Sequence, residues 1–298
     1  MSGILLASVG NSYGSLPANV VAPVITGTAT IGSTLTTSDG TWTGAPAPTF
    51  SYQWQRVTSD IPGATSSTYV VQLADVGNTI RCVVTATNSL GAVSANTANT
   101  ASVPLPAIGS AFEGGFYAGQ IGVSSVPTHY IVVAPKSSGQ TNAQCKTSNG
   151  ITSGATSAID GPANTALLLA VGSPAATFCN NAVIGSFSDW YMPAINELEI
   201  CYFNLKPRAD VNNPFGINPN AVPARASNYT PGNPTQTSAA AFQLPGGAEA
   251  FIINRYWSST ETTPNSRNIN LYFYRGNQYA AFFQTTAYPV RCIRRVPV

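Results

Sequence analysis

The stretch DWYMPAINELEICYFNLKP, residues 189–207, decides how the second half of this chain is read. Charged residues make up only 8% of the sequence, yet three of the 11 acidic ones, Asp189, Glu197 and Glu199, fall here. Pro193 has a fixed φ and no N–H, which suits the first turn of a helix. Glu197 and Glu199 follow in the early turns, where the positive end of the helix dipole favours carboxylates. Ile195, Leu198, Tyr202 and Leu205 recur at three- and four-residue spacing and form one apolar stripe. Pro207 stops the pattern. The spacing predicts a helix of about three turns. Two residues apart on such a helix, Glu197 and Glu199 project about 200° from each other. They cannot share a proton or a substrate, so a scaffold role is favoured over a two-carboxylate glycosidase.

Outward from this stretch, the composition points to strands and ordered loops. There are 26 Gly and 22 Pro, with abundant Ser, Thr, Ala and Asn, and 44% of residues are hydrophobic. Enough apolar surface exists to bury, which argues against disorder. Scarce Lys and Glu argue against a helix-rich protein. A net charge of +2 is too small to suggest a nucleic-acid partner. Arg291, Arg294 and Arg295 form the single basic cluster, and alternation along a strand accounts for them. The N-terminus lacks a basic leader region, and its apolar run ILLA is too short for a signal peptide or a membrane span. The expectation is synthesis in the cytoplasm, without membrane insertion.

Five cysteines, Cys82, Cys145, Cys179, Cys201 and Cys292, form no CxxC pair, and His129 is the single histidine. A zinc site is not supported, and no cofactor or metal is expected. The odd count leaves at least one thiol outside any intrachain bridge. Cys82 stands alone in the first half and is that thiol; a bridge among the other four stays open.

Residues 1–18 read as an extended Gly/Ser-rich attachment arm. Residues 19–103 carry short alternating strands between Gly, Pro, Asn and Asp turns, the spacing of a β-sandwich. Residues 104–110, within TASVPLPAIGS, read as a stiff linker, and 111–298 as a second domain. That domain opens on the strands FEGGFYAGQI and THYIVVAP, passes through a short helix started by Pro162, and reaches the 189–207 helix. A long, ordered Asn/Pro loop spans 207–235. A meander is predicted for the end, with RGN as a hairpin turn. In it Ile269, Leu271 and Phe273 alternate with Asn270, Tyr272 and Tyr274.

In the first domain, YQWQR places Trp54 where the core tryptophan of an immunoglobulin-like strand belongs. LADVGNTIRCVV resembles the D-x-G-x-x-Y-x-C stretch of that fold through Asp75, Gly77 and Cys82, with Ile80 at the tyrosine position. Leu35 stands where the partner cysteine would be, so the core is held by packing, which suits a reducing compartment. The domain resembles Ig-like modules of phage virions and bacterial surface proteins.

In the second domain, DWYMPAINELE resembles the D-W-x-x-P-x-x-x-E-L motif of the DUF1566, or Lcl C-terminal, family through Asp189, Trp190, Pro193, Glu197 and Leu198. YWSST, with Tyr256, Trp257, Ser258 and Ser259, and VRCIRR, with Arg291 and Cys292, resemble its other two signatures. GGFYAGQI, GINPNAVPARASNYTPGNP and AFQLPGGAEAF resemble phage head- and tail-fibre-like proteins. The resemblance implies an α+β C-type-lectin-like fold after an all-β immunoglobulin-like sandwich. It implies that Trp190 and Trp257 bind the helix to the sheet, and that Glu197 accepts hydrogen bonds from backbone or from the WSST hydroxyls.

The E-P-N, Q-P-D and W-N-D motifs of calcium-dependent lectins are missing, and no cysteines lie close enough for the oxidase-like relatives. His129 has no nucleophile motif beside it. The candidate ligand surface is the solvent side of the meander: Tyr272, Tyr274, Tyr279 and Tyr288, with Asn270 and Asn277. The expectation is a non-enzymatic, oligomeric protein of the virion exterior. Its arm would contact other virion proteins, and its second domain host-surface glycan or protein. The alternatives are a purely structural fibre or decoration subunit and, with less support, a bacterial surface adhesin.

Overall fold

The computed structural model describes residues 14–263, 266–280 and 283–298. Among the described residues strand far outweighs helix, and the strands form several sheets. It divides into two compact units, Met1–Leu105 and Pro106–Val298.

The first unit contains β1 (Ser15–Val21), β2 (Ile25–Thr26), β3 (Thr34–Thr37), β4 (Thr41–Ala45), β5 (Thr49–Arg56), β6 (Ser59–Asp60), β7 (Thr68–Val70), β8 (Ile80–Asn88) and β9 (Gly91–Asn96). Their sheets run β6-β5-β8-β9, β2-β3-β7 and β1-β4. Along β8 the inward positions Ile80, Cys82, Val84 and Ala86 are buried, as period-two alternation requires. Ile80, Cys82 and Val84 meet Leu35 of β3 and Tyr69 of β7 in one core with Trp54. Trp54 stacks on Tyr69 with ring centroids 5.6 Å apart and donates its N–H to the Ser66 carbonyl at 2.9 Å. Leu35 is fully buried, a contribution of about 2 kcal/mol. Cys82 is a free, buried thiol, as expected.

Asp75 and Gly77 close this core at the turn before β8. Buried Asp75 accepts from Arg56 at 2.8 Å, from the Tyr69 hydroxyl at 2.7 Å and from the Gln72 N–H at 2.7 Å. Gly77 adopts φ +80°, which glycine reaches without strain.

Both expected boundaries shift. Residues 1–13 of the arm 1–18 lie outside the described residues, but Ser15 onward is strand, paired with β4 through Ser15↔Ala45 and Ala18↔Thr43. Backbone pairing, invisible to composition, takes those residues into the unit. The linker 104–110 also shortens. Val103 belongs to the first core. Ile108 packs on the second core, and the Gly109 N–H bonds the Tyr117 carbonyl at 2.8 Å.

The second unit contains β10 (Ala111–Phe112), β11 (Gly115–Val123), β12 (Val126–Val133), α1 (Lys136–Gly139), β13 (Gln140–Gln144), α2 (Gly161–Ala170), α3 (Pro174–Asn180), α4 (Ile195–Leu205), β14 (Ala221–Val222), β15 (Arg255–Thr262), β16 (Arg267–Tyr272), β17 (Asn277–Ala280), β18 (Ala287–Arg291) and β19 (Ile293–Pro297). One sheet runs β10-β11-β12-β19, with β14 on β11; β13 pairs β18, and β15-β16-β17 forms a meander. The expected meander is therefore cut short. The segment after β17 leaves it, because β18 finds β13 and β19 finds β12. The β16–β17 connection is the four-residue loop 273–276, with Gly276 at φ +78°, rather than a tight RGN turn.

Helix α4 forms as the apolar spacing predicts, with Ile195, Leu198, Tyr202 and Leu205 all buried. Residues off this stripe are buried as well, at Glu197, Glu199, Ile200 and Cys201, since the helix packs on β11, β14, β15 and β16. Pro193 falls outside the first turn. Ala194 is the cap residue, and the Pro193 carbonyl instead accepts from the Ser259 N–H at 2.7 Å. A pairing with β15 has claimed the position that local geometry assigns to the helix. The described chain has no helix long and apolar enough to cross a membrane.

Candidate functional site

The motif carboxylates are anchors of the second unit. Glu197, fully buried, accepts from the Ala194 N–H at 2.7 Å, the Tyr191 hydroxyl at 2.6 Å and the Arg295 guanidinium at 2.6 Å. Burial pushes this carboxyl upward, and Arg295, Tyr191 and Ala194 oppose the shift; the same pairing pushes Arg295 up. Glu199 points elsewhere, to Arg225, the Tyr229 hydroxyl and Asn218. The two carboxylates thus tie α4 to different partners, β19 for Glu197 and the long loop for Glu199, as their helical offset requires. Asp189 is held bidentately by Arg294 at 2.7 and 3.0 Å. Arg291 binds Glu249 at 2.6 Å and lies over the Phe251 ring. Each arginine of the basic cluster therefore has its own carboxylate partner, and Arg294 also lies 3.7 Å from Glu113; the three sit on two strands, Arg291 on β18 and Arg294 and Arg295 on β19, rather than alternating along one.

The serine and threonine hydroxyls of YWSST do not reach Glu197. Ser258 donates to the Ile269 carbonyl at 2.6 Å, Ser259 accepts from Asn164 at 3.3 Å, and Thr260 accepts from the Ile195 N–H at 2.9 Å. Thr260 so caps the first turn of α4, while Tyr191 and Arg295, brought in by tertiary contact, occupy the carboxylate. Gly161, at the start of α2, leaves room for both: a Cβ there would stand 2.3 Å from Glu197 Oε2 and 2.4 Å from the Tyr191 ring. Trp190 is buried, with its N–H on the Phe187 carbonyl. Trp257 is also buried, but its N–H reaches the Ala143 and Thr286 carbonyls. It therefore joins β15 to β13 and the approach to β18, sheet to sheet rather than helix to sheet. Tyr256 donates to Gln140 at 3.0 Å.

A disulfide joins Cys179 of α3 to Cys292, leaving Cys145 and Cys201 free. Burial pushes both free thiols well up, which makes them poor nucleophiles. Among the described residues no group of three His, Cys, Asp or Glu side chains could hold a metal ion. His129 is half-buried, with Nδ1 3.0 Å from the Thr128 hydroxyl.

The proposed tyrosine face separates into covered and open parts. Register places Arg255, Trp257, Asn270, Tyr272, Asn277 and Tyr279 on one side of the meander. At its Trp257 end this side lies against β13 and β18, so Asn270 is fully buried and cannot meet a ligand. Tyr288 is half-buried, like Tyr272 and Tyr274, but packs against Trp257, with centroids 5.2 Å apart. Asn277 is buried beneath the long loop, accepting from Asn213 at 2.7 Å. Period-two alternation identified the side, but only the packing of a second sheet and a loop reveals how much of it is closed.

Tyr272, Tyr274 and Tyr279 remain at least partly open. Two arginines that sequence reasoning missed join them. Arg255 lies 4.6 Å from the Tyr279 ring centre and 5.8 Å from that of Tyr272, and Arg275 lies 4.8 Å from that of Tyr274. Unlike Arg291, Arg294 and Arg295, neither has a carboxylate partner among the described residues. Phe215 of the long loop borders Tyr279 at 6.4 Å. That loop is held in place by buried Lys206, which donates to Asn212 at 2.7 Å and to the Pro234 carbonyl at 3.1 Å. The result is an aromatic and cationic surface beside the long loop. No protein-family model matches the chain, and no curated protein matches it significantly in sequence.

Proposed function

We propose that this protein is a non-enzymatic component of a phage virion exterior, of the fibre or decoration type. In this reading the first unit is an immunoglobulin-like spacer. The second is a C-type-lectin-like domain of the DUF1566 kind that displays the open tyrosine face to host-surface glycan or protein. The observation that carries the reading is the contrast between the signature residues and this face. Glu197 and Arg291 are committed to internal ion pairs, whereas Arg255 and Arg275 lie on Tyr272, Tyr274 and Tyr279 without a carboxylate partner among the described residues. The Cys179–Cys292 bridge supports an oxidising, exterior setting for the finished protein, in place of the reducing one expected from the first unit. Many weak copies on one particle would bind with high avidity.

A purely structural subunit is the second reading, supported by the exposed apolar residues Leu16, Val20 and Val21 of β1. Binding of the full chain to host cells and to a glycan array separates the two. Under the attachment reading, Tyr274→Ala with Tyr279→Ala removes binding while thermal stability is retained. Undiminished binding by that double variant, or no binding by the parent chain, rejects it.

A further inference from the structure

A cleft of about 460 Å³ in the second unit lies between α2 and the paired ends of β12 and β19, at His129 and Pro297. Its size falls in the range of small-molecule sites. Pro162, Ala166 and Leu169 of α2 form one wall and Pro297 of β19 another, with Trp190 and Tyr191 below. His129, Asn180, Ser188 and Asp189 stand around this apolar surface.

The rim has hydrogen-bonding capacity to spare. Both Asp189 oxygens accept from Arg294, yet the side chain is 54% exposed and keeps open lone pairs. His129 uses one ring nitrogen, and the Ser188 hydroxyl has no partner among the described residues. The cations around it, by contrast, are already paired. Arg294 pairs with Asp189 and, at 3.7 Å, with Glu113, and Arg295 pairs with Glu197. Burial and the nearby Arg295 lower the His129 pKa, so its ring is neutral at pH 7. An anionic ligand would find no free cation here among the described residues. A sugar ring would find an apolar bed for its C–H face and donors and acceptors for its hydroxyls.

We propose that this cleft binds one neutral sugar unit, at a site separate from the open tyrosine face. The inference stands independently of the attachment reading. It is tested by saturation-transfer NMR on the full chain. The probes are methyl glucoside, methyl galactoside, methyl mannoside and N-acetylglucosamine, each at millimolar concentration. At least one should give saturable transfer. Ala166→Trp and Ser188→Lys, both at exposed positions and each checked for an unchanged melting temperature, should weaken it by roughly tenfold or more. Absence of saturable transfer with all four sugars overturns the proposal, as does transfer that survives both cleft variants. Loss on Tyr274→Ala with retention in the cleft variants also overturns it, by placing the sugar on the tyrosine face.

Discussion

Replacing Arg295 by methionine removes the cation that faces Glu197. The carboxylate is fully buried and would keep two donors, the Tyr191 hydroxyl and the Ala194 N–H. Two neutral donors do not offset a buried charge, and removing one partner of a buried pair costs about 3–5 kcal/mol. For a unit of this size each kcal/mol moves the melting temperature by about 2–4 °C. The second unit should therefore melt roughly 10 °C lower or more. The double variant Glu197→Gln with Arg295→Met has no orphaned charge and should recover most of the loss. The sign of the pH effect follows from the same chemistry. In Arg295→Met the folded-state pKa of Glu197 rises further above its unfolded value, so the folded protein binds a proton more readily than the unfolded chain. The deficit should shrink as the pH is lowered toward that range. Calorimetry of the full chain, following the second unit's transition from pH 7 downward, reads all three effects. A shift below about 2 °C in Arg295→Met, or a double variant no more stable than the single, would refute the reasoning.

Three further outcomes follow from other contacts. The Cys179–Cys292 bridge closes a separation of 113 residues, which removes about 4–5 kcal/mol of chain entropy from the unfolded state; reduction should lower the second unit's transition by roughly 10 °C and leave the first unit's in place, and equal shifts in both would contradict this. Leu35→Ala should cost about 2–5 kcal/mol and act on the first unit's transition alone. Burial alone would raise Glu261, but the Ser153 hydroxyl and N–H and the Lys146 ammonium together hold its carboxyl below the usual range. Its contribution is present above the unfolded carboxylate pKa and lost as the pH falls through the lowered folded value. Glu261→Gln should flatten the acid limb of the stability profile, and a limb as steep as the parent's would count against this account.

Periodicity and local chemistry made much of this protein legible before any coordinates. The stripe Ile195, Leu198, Tyr202 and Leu205 marked α4, and the offset of Glu197 from Glu199 announced that they serve different partners. Trp54, Asp75, Gly77 and Cys82 marked one core, with Leu35 facing them. These signals are short-range, because helical and strand repeats are written within a few residues. What remained closed to sequence reading depends on contacts between distant segments. Arg295 meets Glu197, Cys292 meets Cys179, and β19 leaves the meander for β12, each across about a hundred residues or more. Asn270 and Tyr272 occupy equivalent places in the alternation, yet one is sealed beneath Trp257 and the other stays open beside Arg255. Alternation along a strand assigns a side to each residue. Whether that side meets water is settled by what packs on it, and that is set by chain closure in three dimensions.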